Sequence, residues 1–190
     1  MTSLKSRFLA AKTFDEFLAG GPKHTELYRV MRSRVTAPET FAQRVAATGR
    51  HWHLLVISEE WCNDAVNILP WLEAMVNTAP QLDMRFIERD QHLDLMDQYL
   101  TNGTSRAIPI VLLLDEDYHE VGWWGPRPRA MQLWHMSPEA QALTKEERYK
   151  ELRGRYARDR GLSTMEEITQ LIERAAQSPS KVPAAASETP

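Results

Sequence analysis

The sequence predicts an α/β protein built on one mixed sheet. Two patterns carry that expectation: from His51 onward apolar, β-branched runs alternate with runs of helical spacing, and the last two β runs are parted only by turn-forming acids. A strand is expected over residues 52–58, where Leu54-Leu55-Val56-Ile57 is unbroken and apolar, followed by a helix from about 62 to 77 that stops before Pro80. With the next strand, Leu82-Asp83-Met84-Arg85-Phe86-Ile87, these form a βαβ unit, which implies parallel strands joined by a right-handed crossover. A short helix over 92–100 puts Leu93, Met96 and Leu100 on one face, and Asn102-Gly103 makes a turn. A strand over 109–115 comes from Ile108-Pro109-Ile110-Val111-Leu112-Leu113-Leu114, and Asp115-Glu116-Asp117 turn the chain into a strand over 118–124. The sheet is therefore parallel on one side and antiparallel on the other.

Helical sequence flanks this core. Residues 1–50 read as an N-terminal helical extension in three pieces, carried by Phe14, Phe17 and Leu18, by Leu27, Tyr28 and Met31, and by Phe41 and Val45 after Pro38. After Gly125-Pro126-Arg127-Pro128, Met131, Trp134 and His135 hold helical spacing, and Met165, Ile168, Leu171 and Ile172 define an amphipathic helix over 165–176. The charged stretch between them, Lys145 to Arg160, reads as a solvated helix face. From Gln177 the chain is too poor in large apolar side chains to offset ordering entropy, so a disordered tail is expected over 177–190. The expected organisation is 1–50 extension, 51–176 sheet domain with C-terminal helices, and 177–190 tail.

With 23 basic and 26 acidic residues among 190, the net charge is −3, which gives no basis for a nucleic-acid or acidic-membrane partner. No apolar run reaches the length of a membrane span, and Asp15 and Glu16 interrupt the N-terminus before it resembles a signal peptide, so a cytoplasmic location is expected. No phosphate-cradling loop, dinucleotide fingerprint or Gly-x-Ser-x-Gly elbow occurs. His51 and His53 alternate at a strand start, but no third ligand has a recognisable spacing to them, and no metal is expected.

The candidate site centres on the single cysteine, Cys62, which excludes any intrachain disulfide. It lies in Glu60-Trp61-Cys62-Asn63-Asp64-Ala65, where a strand gives way to a helix. At a helix N-terminus, unpaired N–H groups and the dipole favour a thiolate, whereas a buried cysteine is often only a small inert apolar residue. Asp64 is expected to accept an N-terminal backbone N–H, with Asn63 as a further cap. Its charge opposes thiolate formation, so the Cys62 pKa is expected to be depressed modestly at most, near the free value of about 8.5.

The order β-α-β-α-β-β-α, with Trp61-Cys62 at the first helix start and Arg106-Ala107-Ile108-Pro109 opening the third strand, resembles the thioredoxin-like fold over residues 51 to about 136. Gly125, sixteen residues after Pro109, stands where that family keeps a glycine beside the active site. The variant Trp-Cys-x-Asp followed by Trp-Gly-Pro-Arg-Pro is most similar to a bacterial subgroup of monothiol type. The resemblance implies a cis Ile108-Pro109 bond, with the N–H and carbonyl of Ile108 free to pair with an extended partner and Gly125 giving that partner clearance. Two parts are missing: Ala65 stands where the family's second cysteine would be, and Val56 where it often has a buried aspartate.

Two readings follow. In the first, Cys62 is the catalytic thiol of monothiol exchange with glutathione as co-substrate or with a thiol- or disulfide-containing protein, and an external thiol resolves the mixed disulfide. In the second, the groove binds a peptide or protein without redox turnover. Trp61, Asn63, Asp64, Ile108, Pro109, Gly125 and Arg127 are the candidate binding residues, with Arg127 facing either an anionic substrate or Asp64. Of Trp123 and Trp124, either the outward one joins Trp61 in an apolar rim around the thiol or both are packed by the flanking N- and C-terminal helices. No bound cofactor is expected.

Overall fold

A computed structural model describes residues 2–21 and 23–178. Its sheet has the order β2-β1-β3-β4, from β1 (Trp52–Ser58), β2 (Leu82–Glu88), β3 (Ile110–Leu114) and β4 (Glu120–Trp124). Strand β1 pairs parallel with β2 and antiparallel with β3, and β3 pairs antiparallel with β4. This is the mixed sheet the sequence predicts. All seven residues of β1 and all five of β3 are buried, as their unbroken apolar runs require. The hairpin turn is held by Asp115, whose Oδ1 accepts the N–H groups of Asp117 and His119 at 3.0 and 2.9 Å, so the last strand begins at Glu120 rather than 118.

Ten helices surround the sheet among the described residues. The first four are α1 (Leu4–Ala10), α2 (Phe14–Ala19), α3 (Thr25–Arg32) and α4 (Glu39–Ala46). Helix α1 was not among the three expected pieces. It lacks a repeating apolar face and is started by Ser3, whose hydroxyl accepts the N–H of Ser6 at 3.1 Å. Helix α2 packs on β2 through stacked rings: Phe14 and Phe17 lie 4.8 and 5.0 Å from Phe86.

The crossover helix is α5 (Ala65–Thr78), three residues later than the expected start at 62. Beyond β2, α6 (Leu93–Met96) is one turn instead of the expected nine residues, and the chain is turned again by a bridge between Thr101 and Ser105. The C-terminal helices are α7 (Arg129–Met136), α8 (Pro138–Ala142), α9 (Lys145–Asp159) and α10 (Leu162–Gln177). Of the expected tail, Gln177 ends α10 and residues 179–190 lie outside the described residues. No helix among the described residues is long and apolar enough to cross a membrane.

Helix α9 departs most from expectation. Its charged sequence hides an apolar stripe in Tyr149, Leu152 and Tyr156, of which Leu152 and Tyr156 are buried. That stripe brings α9 down beside Cys62 rather than leaving it as a solvated face.

Candidate functional site

Strand β1 delivers the chain to the site. After Ser58, a turn closes with the N–H of Cys62 donating to the Glu59 carbonyl at 3.1 Å, and the N–H of Val66 donates to the Cys62 carbonyl at 3.3 Å as α5 begins. Opposite, the Ile108-Pro109 bond is cis, as the thioredoxin resemblance implied, and Gly125-Pro126 is cis as well. The loop before Pro109 is pinned by Arg106, whose guanidinium grips Asp97 at 2.6 and 2.8 Å.

Cys62 is buried, with 7% of its surface exposed. Its thiol donates to the Ile108 carbonyl at 3.4 Å, so that carbonyl is occupied from within and is not free for a partner. The N–H of Ile108 donates to no described residue and remains available. Burial first, and the Asp64 carboxylate second, push the Cys62 thiol up to about 11, although the N–H groups of Ala65 and Asp64 and the Arg127 charge pull it back. The direction is opposite to the slight depression expected from a helix terminus. Desolvation of the charged sulfur outweighs the dipole because the thiol lies beneath the surface.

Asp64 does not cap α5. No side chain caps that helix, and the Asn63 side chain makes no capping bond. The Asp64 carboxylate instead accepts Arg127 Nη2 at 2.6 Å and the Tyr156 hydroxyl at 2.9 Å, both buried. A capping carboxylate turns back on its own helix, whereas this one is drawn sideways by a guanidinium it can meet in the interior. Arg127 also donates to Gln132 Oε1 at 2.8 Å. Burial works against the Arg127 charge, but Asp64 more than offsets it and its pKa lies above the ordinary value. Of the two partners expected for Arg127, the structure supplies Asp64.

Gly125 has φ +131°, and a Cβ there would lie 2.3 Å from the Pro109 carbonyl oxygen. Its lack of a side chain is demanded by this chain's own backbone, a stricter reason than clearance for a partner. Gly125 and Pro109 do not line the cavity, while Trp61, Cys62, Asn63, Asp64, Ile108 and Arg127 do. The cavity measures about 730 Å³. Trp124 is buried, its indole donating to Glu167 Oε2 at 2.7 Å, while Trp123 packs on Tyr99 and takes no part in the cavity. The expected rim of two tryptophans is therefore Trp61 alone, covered by the Arg89 guanidinium 5.1 Å from its ring centroid.

Several lining residues escaped the sequence reading: Lys23, Arg89, Lys145, Tyr149 and Arg153 also line the cavity, joined from different helices and loops, together with Arg106 of the loop before Pro109. Only Tyr149 had a readable signal, the spacing it shares with Leu152 and Tyr156. His53 lies away from the cavity, its ring stacked on Tyr118 at 4.3 Å.

A mixed sheet carrying a thiol at the end of its first strand, against a cis Ile-Pro bond, defines a thioredoxin-like protein. The chain belongs to the thioredoxin family: the family model Thioredoxin_9, described as Thioredoxin, matches residues 11–152. A crystal structure of PA1234, a protein of unknown function from Pseudomonas aeruginosa, shares the fold with a TM-score of 0.73 at 24% identity, covering 92% of this chain and 99% of that one. An HIV epitope-scaffold gives 0.69 at 21% identity, covering 91% and 99%. No curated protein matches the chain.

Proposed function

We propose that this thioredoxin-family chain, of the Trp-Cys-x-Asp type with a single thiol, is a binding module whose groove takes an extended segment of a protein partner. The observation that carries this reading is the state of Cys62: buried, hydrogen-bonded to Ile108 and pushed up to about 11. Relative to a free thiol near 8.5, the thiolate fraction at neutral pH falls roughly 300-fold, and the greater nucleophilicity of a more basic thiolate recovers only about tenfold. Exchange through Cys62 would thus run roughly 30-fold slower than at an ordinary exposed cysteine, before counting access. The free N–H of Ile108 offers the first hydrogen bond of an added strand.

Monothiol exchange with glutathione or a protein thiol is the second reading. In its favour, Cys62 lines the cavity and two backbone N–H groups and Arg127 act to lower its pKa. With Ala65 fully buried three residues on, an external thiol would have to complete that reaction. A single unpaired cysteine suits a reducing compartment, and we place the protein in the cytoplasm under either reading.

The two readings separate by intact mass after incubation with oxidised glutathione at neutral pH. The binding module stays unmodified over hours. A stoichiometric adduct that disappears in Cys62→Ala would establish exchange instead.

A further inference from the structure

We infer that the groove's partner is an acidic protein segment, one that presents carboxylates to the ring of cations around Cys62. This inference rests on the binding-module reading and names the class of partner. Six cationic side chains line the cavity against two acidic ones, Asp64 and Glu146, although the chain as a whole carries a net charge of −3. Asp64 is already engaged by Arg127 and Tyr156. Arg89 and Arg106 are paired with Asp90 and Asp97, but Lys23, Lys145 and Arg153 form no ion pair among the described residues.

A second observation comes from beneath the ring. Arg127 lines the cavity with 8% of its side chain exposed, and its buried Nε meets no acceptor among the described residues. An orphaned charged donor in the interior costs free energy until an acceptor arrives. The cations come from separate parts of the chain: Lys23 from the loop between α2 and α3, Arg89 and Arg106 from the segments on either side of α6, Lys145 and Arg153 from α9. Ile108 lines the same cavity, so a segment laid along it would lie among them. The groove carries more cations than acids although the chain as a whole is net acidic, which suits a short acidic segment.

The test uses the full chain and three fluorescein-labelled octapeptides, alternating glycine with Glu, with Gln or with Lys, followed by anisotropy at about 50 mM salt. The Glu peptide is expected to bind at least about tenfold tighter than the Gln peptide and to weaken as salt rises, with the Lys peptide weakest. Lys145→Glu combined with Arg153→Glu, both exposed positions, should cost the Glu peptide at least about tenfold. Lys150→Glu with Arg174→Glu, exposed and outside the cavity, makes the same charge change and should stay within about threefold.

Equal binding of the Glu and Gln peptides would overturn the acidic preference while leaving the groove reading standing. Binding of none of the three would overturn both. Equal losses in the two double variants, or a DNA duplex binding as tightly as the Glu peptide, would show a non-specific charge effect and also overturn the inference.

Discussion

Replacing Asp64 by alanine removes the one carboxylate that holds Arg127 in the interior. Two hydrogen bonds disappear, from Arg127 Nη2 at 2.6 Å and from the Tyr156 hydroxyl at 2.9 Å. The guanidinium left behind has 8% of its side chain exposed and, among the described residues, keeps Gln132 alone as partner. Removing one member of such a pair costs about 3–5 kcal/mol, in line with about 1.5–3 kcal/mol for each hydrogen bond to a charged group. Urea unfolding followed by tryptophan fluorescence should therefore show a large drop in midpoint with an unchanged slope. The same substitution acts on Cys62: burial still raises its pKa, but the Asp64 charge is gone while Arg127 remains, so the value falls from about 11 toward that of an ordinary thiol. Asp64→Asn should produce the same fall with a smaller loss of stability. A loss below about 1 kcal/mol in Asp64→Ala, or a Cys62 pKa that rises, would contradict this role for Asp64.

Three further outcomes follow from the same geometry. Tyr156→Phe deletes only the hydroxyl bound to Asp64 and should cost about 1.5–3 kcal/mol in urea unfolding. Gly125→Ala, at φ +131° and against the Pro109 carbonyl, should cost about 2–4 kcal/mol in thermal unfolding. Because the Cys62 pKa is raised on folding, its contribution is fully present below about pH 8.5 and is lost as pH rises toward 11, a span worth roughly 3–3.5 kcal/mol. Tyr28 and Tyr156 are also raised by burial, so the measurement is the difference between wild type and Cys62→Ala across that window, which should carry the slope.

The sheet was legible because its strands are declared locally: β1 and β3 are unbroken apolar runs, and Asp115 marks the hairpin by chemistry that acts within four residues. The Ile108-Pro109 junction and Gly125 were placed by resemblance, and the structure supplies the reason for the glycine. What the sequence hid depends on long-range packing. Asp64 looks like a helix cap until Arg127 and Tyr156, 63 and 92 residues away, claim its oxygens. Helix α9 looks solvated because its many charges outnumber the three-residue stripe that seats it. The pKa of Cys62 could not be signed from sequence, since the helix terminus and burial oppose each other and only depth decides between them. The ring of cations is assembled from four separate stretches of chain and leaves no local pattern.

As a binding module, the protein uses Cys62 as part of the groove wall and not as a nucleophile. The most direct test of this role is the rate of iodoacetamide modification of the native chain as a function of pH, read by mass at position 62. The predicted profile is slow at neutral pH and rises toward a midpoint near 11. A midpoint below about 8 with rapid modification at neutral pH would contradict it.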